Sequence, residues 1–460
     1  MVADRRRRSR ATWWMIVYVA LAMLARRADA AARVRRFVVE QNPYVLGQAM
    51  DWLDRTHVVW HDPMIRDEDG DGQTNIYSST LDGAEKRCLT CGLRGRHQVP
   101  VVQPRGDWIL FHSWSGHSVT VGGPGFGGLG SDVWVMRRDG SQRTNLTAST
   151  ELHDNFHAYW SPDGRYIVWT ALNWNAAEGG NGRSDVRLAR FDPSGPRLVD
   201  ERVVRPGNGH WYETQWWAPD GSGFLYTETA DLAINPELFF CRLPRRAAGV
   251  CRPVRLTRDP AWDEQAIFTP DMDRIVFMSS RNLPGAHNDW ATATALLDLP
   301  ADYDYALILS VFTNNFLQPI LEQATDLYEL TLRWNRDRTR FKPGTVRRLT
   351  TSGEQGWVIP EFAWDPAGRR LLWTQNKFHD GRRLDQGCAV RKLRGDFIAR
   401  LAGVDNITKV PFTLDTDIRA TAAGLLRDPR TFTLAAGGCG GEAPAAEPAL
   451  VQETWIGRYE

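Results

Sequence analysis

The sequence lacks an excess of charge of either sign, since 56 basic residues stand against 55 acidic ones and leave a formal net charge of +1. A chain of this composition has no overall field that attracts nucleic acid or anionic lipid, so we expect no nucleic-acid partner. A bilayer-spanning helix needs about 20 apolar residues. The N-terminal apolar run, 13–25, has only 13 residues. We therefore expect no permanent membrane anchor.

Two enzyme motifs are present only in incomplete form. The glycine-rich run 122–130 lacks the Gly-Lys-Ser/Thr of a phosphate-binding loop. The segment Ser113-Trp114-Ser115-Gly116-His117 is similar to a serine-hydrolase elbow but lacks its first glycine, and no α/β-hydrolase domain follows. Neither a nucleotide site nor a serine nucleophile is predicted.

The first thirty residues have the organisation of a secretory signal peptide. They contain a basic region at Arg5 to Arg8, the apolar run 13–25 and the small-residue cleavage signal Ala28-Asp29-Ala30. We expect residues 1–30 to be removed on export and the mature protein to be periplasmic or secreted. The arginine pairs leave the export route open.

The six cysteines suit an oxidising compartment. Cys241 and Cys251 bracket a hairpin-like turn, and Cys88 and Cys91 form a C-x-x-C, so both pairs are predicted to form disulfides. By elimination, Cys388 and Cys439 would join the C-terminal tail to the body of the protein. The C-x-x-C is also compatible with a redox or metal pair.

A recurring segment is the main structural signal of the chain. Its fullest copy, Trp160-Ser161-Pro162-Asp163-Gly164, is followed by the apolar run Ile167-Val168-Trp169. In every copy an aromatic residue follows seven positions after the turn residue; the pairs are Pro162 and Trp169, Pro219 and Tyr226, Pro270 and Phe277, Pro366 and Trp373, Pro104 and Phe111, and, in a degenerate copy, Leu53 and Trp60.

Each copy predicts two β-strands joined by a tight turn. Proline fixes φ at the first turn position, and Asp-Gly supplies the side-chain hydrogen bond and the positive φ that close the turn. A second hairpin follows, for example from Asp132-Val133-Trp134-Val135 through Asp139-Gly140 to Leu146-Thr147. Six units of four strands predict an all-β, six-bladed β-propeller over residues 37–404.

The pattern resembles the TolB-type propeller repeat, a WD40-like repeat also seen in tricorn and prolyl-peptidase-like proteins. Trp-Ser-Pro-Asp-Gly, Asp-Val-Trp-Val and Asn-Leu-Thr carry the resemblance, which spans roughly residues 40–404. It implies a fold more than a function, because propellers host many activities. TolB itself has a substantial α/β domain before its propeller, and only about ten residues separate the signal peptide from the first repeat.

Two segments fall outside the repeat. The fifth unit contains an insertion, 281–325, whose apolar stretches at 306–309 and 316–324 predict a partly helical structure. Residues 405–460 are expected to form a C-terminal tail with one strand-like piece, 431–434, and a flexible Gly/Ala/Pro-rich stretch.

An acidic motif in the first unit matches D-x-D-x-D-G-x-x-N. Calcium prefers six to eight oxygen ligands, and alternating carboxylates converge when a glycine turns the chain. The predicted ligands of a structural calcium ion are Asp67, Asp69, Asp71, Gln73 and Asn75. A solvated acidic turn is the alternative.

The register of the repeat predicts a ring of polar residues at one mouth of the central channel. The segment before each turn should form the innermost strand of its blade, which places His153 and His210, Glu213 and Glu264, and His157 and Glu361 at matching positions. With their neighbours, the candidate site residues are His97, His153, Asp154, His157, His210, Glu213, Asp263, Glu264 and Glu361. Such groups can ligate a transition metal, act as acid and base, or tie one blade to the next.

These observations favour an exported binding or scaffold propeller for a protein, peptide or glycan partner over an enzyme. The alternative is a metal-assisted polysaccharide lyase or hydrolase, because related propellers with histidine-rich mouths resemble oligogalacturonate lyases. The 20 tryptophans suggest a sugar-binding surface, but five of them, Trp160, Trp169, Trp217, Trp364 and Trp373, occupy repeat positions and are predicted to lie in the blade cores.

Overall fold

The computed structural model of this 460-residue chain describes residues 36–44, 46–61, 74–115, 131–149, 153–173, 183–207, 212–228, 236–244, 249–259, 261–283, 324–378 and 450–460. Within these ranges the strands form six antiparallel sheets of four strands each. The predicted all-β, six-bladed propeller is therefore confirmed. No helix of the described residues has the length and apolar character needed to cross a membrane.

The sheets follow one another along the chain as blades. Blade one contains β2 (Gln48–Trp52), β3 (His57–His61), β4 (Ile76–Thr80) and β5 (Arg87–Cys88). Blade two contains β6 (His97–Val102), β7 (Trp108–Ser113), β8 (Asp132–Arg137) and β9 (Thr144–Asn145). Blade three contains β10 (His153–Trp160), β11 (Tyr166–Asn173), β12 (Arg183–Asp192) and β13 (Arg197–Arg205). Blades four and five contain β14 (Tyr212–Trp217), β15 (Gly223–Glu228), β16 (Glu237–Arg242) and β17 (Arg252–Arg255); and β18 (Asp263–Phe268), β19 (Arg274–Ser279), β20 (Asp326–Trp334) and β21 (Phe341–Arg348). A 3-10 helix, Ser352–Gln355, precedes blade six.

Blade six joins the two ends of the described chain. Its strands are β22 (Val358–Trp364), β23 (Leu371–Phe378), β24 (Leu450–Tyr459) and β1 (Phe37–Asn42), in that spatial order. The expectation that the propeller ends at residue 404 is thus corrected, because β24 pairs with β23 on one side and with β1 on the other. Blade six therefore contains strands from both ends of the described chain, and the pairing of β1 with β24 closes the ring.

The antiparallel order gives the ring two different faces. The Pro-Asp-Gly turns join first to second strands and lie on what we call the turn face. Connections from second to third strands, and from each blade to the next, lie on the opposite loop face. The two longest connections in the chain, 280–325 and 379–449, both begin and end at the loop face.

The turns have the geometry that their sequence predicts. Gly164, Gly221 and Gly368 adopt φ of 69°, 70° and 65°. Blade five has methionine at this place, and Met272 adopts the same left-handed conformation at φ 58°. Asp163 accepts hydrogen bonds from the Ser161 hydroxyl at 2.6 Å and the Arg165 amide at 3.1 Å. The turn aspartate therefore supports the backbone that the glycine permits.

Repeat tryptophans tie neighbouring blades together. The indole nitrogen of Trp160 donates to the Val101 carbonyl at 3.2 Å, and that of Trp217 donates to the Tyr159 carbonyl at 3.1 Å. Trp364 donates to the Phe268 carbonyl at 3.0 Å. Trp160, Trp169, Trp217 and Trp373 are buried and Trp364 is half-buried, so their predicted role in the blade cores is confirmed.

The predictions for the cysteines and for the insertion differ in outcome. The disulfides Cys88–Cys91 and Cys241–Cys251 are both present, which confirms the predicted local pairs. Cys388 and Cys439, the strand-like piece 431–434 and the apolar stretches of the insertion lie outside the described residues. The structure thus confirms two disulfides and leaves the third pair and the helical insertion as predictions.

Candidate binding site at the propeller axis

A β-bulge in each innermost strand redirects side chains at the axis. All six innermost strands show a register shift against the second strand of their blade. At three of these bulges Val99, His157 and Gln265 take positive φ values of 48°, 48° and 45°. A bulge interrupts strict alternation and re-aims a side chain. Acidic and histidine side chains of four blades therefore meet at the centre.

Four predicted residues form one cluster, which we call the carboxylate cup: His157, Glu213, Glu264 and Glu361. His157 Nδ1 lies 2.7 Å from Glu213 Oε1. Glu264 shares a hydrogen bond with Glu213 and accepts a second one, at 2.7 Å, from the Trp262 indole nitrogen. Glu361 is half-buried beside them and interacts with all three through its charge. Blades three, four, five and six each contribute one member.

Burial changes the protonation of the cup. Burial, with smaller contributions from the charges of Glu213, Glu264 and Asp51, raises the pKa of Glu361 to about 7 against the opposing effect of His157. Burial and repulsion from Glu213 raise the pKa of Glu264 well above its ordinary value, which favours the protonated carboxyl in its hydrogen bond with Glu213. Burial also lowers the pKa of His157 despite the opposing charges of Glu361 and Glu264. The histidine is therefore held in its neutral form.

Two aromatic residues, Tyr159 and Trp216, close the channel beneath the cup, and we call them the aromatic plug. Their ring centroids are 5.1 Å apart. Trp216 also packs against separate core clusters that contain Ile267 of blade five and Met50 and Ala363 of blades one and six. A side chain that contacts cores on several sides of the ring must lie at the axis. The plug therefore fills the channel at this level.

The order of residues along the innermost strands shows which side of the plug the cup occupies. These strands begin at the loop face and run toward the turn face. His157 precedes Tyr159 in β10, and Glu213 precedes Trp216 in β14. The cup therefore lies on the loop-face side of the plug. Any molecule that reaches the carboxylates along the axis must approach from the loop face.

Further buried titratable groups surround the cup. His112 stacks on His157 with ring centroids 5.8 Å apart, and burial lowers its pKa well below the ordinary value. Asp51 accepts hydrogen bonds from the backbone amides of Trp52 and Val102, both at 2.7 Å, and thereby links blades one and two. Burial raises the pKa of Asp51 to about 7. Asp51 supports the ring as well as contributing charge.

The structure places His97, Asp154 and Asp263 in contacts outside the cup. His97 is buried, with Nδ1 2.8 Å from the Ser113 hydroxyl and Nε2 3.2 Å from the Leu93 carbonyl, and burial lowers its pKa to about 4. Asp154 is bonded to the Ser131 hydroxyl, and Asp263 is paired with Arg281. His153 is half-buried at the start of β10. His210 lies outside the described residues.

The transition-metal hypothesis and the calcium hypothesis concern different parts of the chain. Among the residues that the structure describes, no three His, Cys, Asp or Glu side chains are arranged to hold a metal ion. Of the predicted calcium ligands only Asn75 is described, and its Oδ1 accepts a hydrogen bond from the Thr90 hydroxyl at 3.2 Å. Asp67, Asp69, Asp71 and Gln73 lie outside the described ranges, so the calcium loop stays a prediction.

Sequence reasoning missed the residues that close the site. Tyr159 and Trp216 both stand three positions before the turn proline of their repeat. The same register that identified the glutamates would have placed these two aromatic residues one layer further along the channel. The sequence distinguishes these two aromatic residues, because the position three before the turn proline carries a small or aliphatic residue in other repeats, as in Val101 and Ala363.

No protein-family model and no curated protein matches the chain. Similar solved structures include a protein described as TolB from Agrobacterium tumefaciens, with 14% identity and a TM-score of 0.40 over 69% of this chain and 89% of that one. A periplasmic gluconolactonase from Pseudomonas aeruginosa has 13% identity and a TM-score of 0.39 over 72% and 80%. An oligogalacturonate lyase from Vibrio parahaemolyticus has 13% identity and a TM-score of 0.34 over 51% and 64%. These likenesses concern the fold alone, and the predicted six-bladed β-propeller is shown by the order of its strands.

Proposed function

We propose that this chain is a periplasmic or secreted propeller that binds a protein, peptide or glycan partner at its loop face, with the carboxylate cup as the anchoring contact. The two disulfides fit export into an oxidising compartment. The observation that carries the proposal is Glu361, a half-buried carboxylate at the axis that forms no hydrogen bond with any described residue.

Several buried acidic groups elsewhere in the ring have basic partners. Asp263 is paired with Arg281 and Asp326 with Arg348. Three other buried carboxylates have the same kind of partner, in the pairs Glu228 with Arg205, Glu237 with Arg255, and Glu329 with Arg347. Among the described residues, neither Glu264 nor Glu361 forms an ion pair with lysine or arginine. The cup therefore differs from these arginine-paired acids.

Glu361, a half-buried carboxylate that forms no ion pair with the described residues, lowers the stability of the free protein. Burying a charge without a partner is unfavourable, and the raised pKa of Glu361 reflects that penalty. Clustered groups with strongly shifted pKa values are more typical of functional sites than of structural ones. A partner that supplies complementary groups would offset the penalty. This supports recognition at the cup in preference to a purely structural role.

Matched charge reversals on the two faces test the proposal. We expect Glu361→Arg to abolish capture of a partner from an extract of the native compartment, because it places a cation in the cup. Asp220→Arg introduces the same change of charge at an exposed turn-face residue and should leave capture unchanged. Capture is followed by quantitative mass spectrometry of the recovered material, after circular dichroism has confirmed that both variants fold.

The reverse pattern would contradict the proposal. If Asp220→Arg removes the captured partner and Glu361→Arg retains it, the turn face is the binding surface. If both folded variants retain the partner, the cup takes no part in binding.

An enzymatic alternative has one specific observation in its favour. Neutral His157 lies beside Glu213, and protonated Glu264 adjoins the same carboxylate, so a base and an acid stand together as proton transfer requires. A metal-assisted lyase or hydrolase would add a transition metal at the channel mouth. Release of unsaturated product from oligogalacturonate, lost in His157→Ala, would favour this alternative, and its absence from the wild-type protein would remove the lyase version.

We also propose that the acidic loop of blade one binds a structural calcium ion. The support is the ligand spacing of Asp67, Asp69 and Asp71. Protein purified without added metal or chelator should contain calcium by plasma mass spectrometry, and Asp69→Ala should lose it. Asp139→Ala, at an exposed turn, is the control and should retain it. Equal calcium content in the two variants would exclude this loop as the site.

A further inference from the structure

We propose that the carboxylate cup receives an organic cation, an ammonium or guanidinium group of the partner, held between the glutamates and the aromatic plug. This inference rests on the binding function proposed above and names the chemical class that the cup selects. Convergent carboxylates lie on the loop-face side of the aromatic plug. The plug itself supplies an unsatisfied buried hydroxyl and two aromatic rings.

The unsatisfied hydroxyl belongs to Tyr159. Its side chain is only 1% exposed, and its oxygen has no hydrogen-bond partner among the residues that the structure describes. The charges of Glu361, Glu213 and Glu264 act on this phenol, so its hydroxyl lies within electrostatic range of the cup. An unsatisfied buried hydroxyl destabilises the folded chain. A nitrogen donor seated between the carboxylates would satisfy the phenol oxygen and the glutamates together.

The aromatic floor favours a cation over a neutral group. The negative faces of tryptophan and tyrosine rings attract ammonium and guanidinium groups. Tyr159 and Trp216 provide both kinds of ring beneath the carboxylates. Glu361 would give up its proton as a cation enters and would then be paired. An anion would meet only repulsion in the same place.

The shape of the donor set favours an organic cation over a metal ion. Metal ions require ligands at short and fixed distances, and the described residues offer no such group of three. Ammonium and guanidinium groups bind through directed N–H donors, which carboxylate and phenol oxygens accept over a wider range of positions. The lysine and arginine side chains of a protein or peptide partner have this chemistry.

Calorimetric titration of the full chain with capped amino acids tests the inference. The probes are N-acetyl-lysine methylamide and N-acetyl-arginine methylamide, with N-acetyl-norleucine methylamide as the neutral probe of similar length. At least one cationic probe should bind and the norleucine probe should not. Glu361→Gln should weaken cationic binding about tenfold, which corresponds to about 1.4 kcal/mol, and Tyr159→Phe should weaken it several-fold.

The control variant is Asp220→Asn, which removes an exposed negative charge from the turn face and should leave the affinity unchanged. Failure of both cationic probes to bind the wild-type chain would overturn the inference. Equal binding of the norleucine probe, or equal weakening by Asp220→Asn and Glu361→Gln, would overturn it as well. If capture of a partner still depended on the cup in those cases, the proposed binding function would stand and an organic cation would be excluded as the ligand of the cup.

Discussion

Deleting residues 450–460 is expected to abolish cooperative folding of the propeller. β24 is the strand that joins β23 to β1, with eight residue pairs on one side and six on the other. It also reaches neighbouring blades, since the Tyr459 hydroxyl donates to Glu329 of blade five at 2.8 Å and the Thr454 hydroxyl accepts from the Leu46 amide at 2.9 Å. Its removal leaves β1 without a sheet and opens the ring between blades six and one.

The expected loss exceeds the whole stability of an ordinary domain, about 5–15 kcal/mol. Thermal unfolding followed by circular dichroism should therefore show no cooperative transition in the truncated chain, and limited proteolysis should degrade it. Arg458→Ala is the control, because it removes only surface ion pairs to Glu40 and Glu460, which contribute about 0–1 kcal/mol. A truncated chain that melts at the wild-type temperature would show that the ring closes without β24.

Most blades were predictable because their information is local. Pro162, Asp163 and Gly164 specify a turn by their own backbone preferences, and Trp169 follows at the distance that fills the core of the same hairpin. Blade six depends instead on a strand that follows a long intervening segment. No turn motif marks Leu450–Tyr459, so the sequence offered no local reason to add it to the ring.

The cup was only partly predictable for a different reason. Position relative to the turn correctly grouped Glu213 with Glu264 and His157 with Glu361, because equivalent residues of a propeller lie at equivalent heights. It could not show which neighbours face the axis, since bulges interrupt the alternation of the innermost strands. His97 and Asp263 have the same chemistry as the cup residues, yet the structure places them in hydrogen bonds and ion pairs within their own blades.

Glu361→Gln is expected to stabilise the free protein at pH 8 and to do so much less at pH 5. Burial raises the pKa of Glu361 from 4.5 to about 7, so the folded protein holds this proton more tightly than the unfolded chain. The stability from the protonated carboxyl is fully present below pH 4.5 and is lost as the pH rises through about 7. Glutamine keeps the shape of the side chain and carries no charge at either pH.

The size of the expected stabilisation follows from the difference between the ordinary pKa of Glu361 and its raised pKa in the folded protein. The interval from 4.5 to about 7 corresponds to about 3.5 kcal/mol at about 1.4 kcal/mol per pH unit. Partial exposure of Glu361 to the channel reduces this to about 2 kcal/mol. Urea unfolding at the two pH values should show that the gain in free energy of unfolding is larger at pH 8 by about this amount.

The control for this prediction is again Asp220→Asn, an exposed change on the turn face that should produce no comparable gain. A gain from Glu361→Gln that is equal at pH 5 and pH 8 would show that packing, and not charge, limits stability at the cup. A loss at pH 8 would show that the ionised carboxylate already has a partner in the free protein. The expected result identifies a residue that lowers the stability of the unliganded ring, and the same variant should weaken the binding of a cation. Only a site adapted to a ligand combines these two effects.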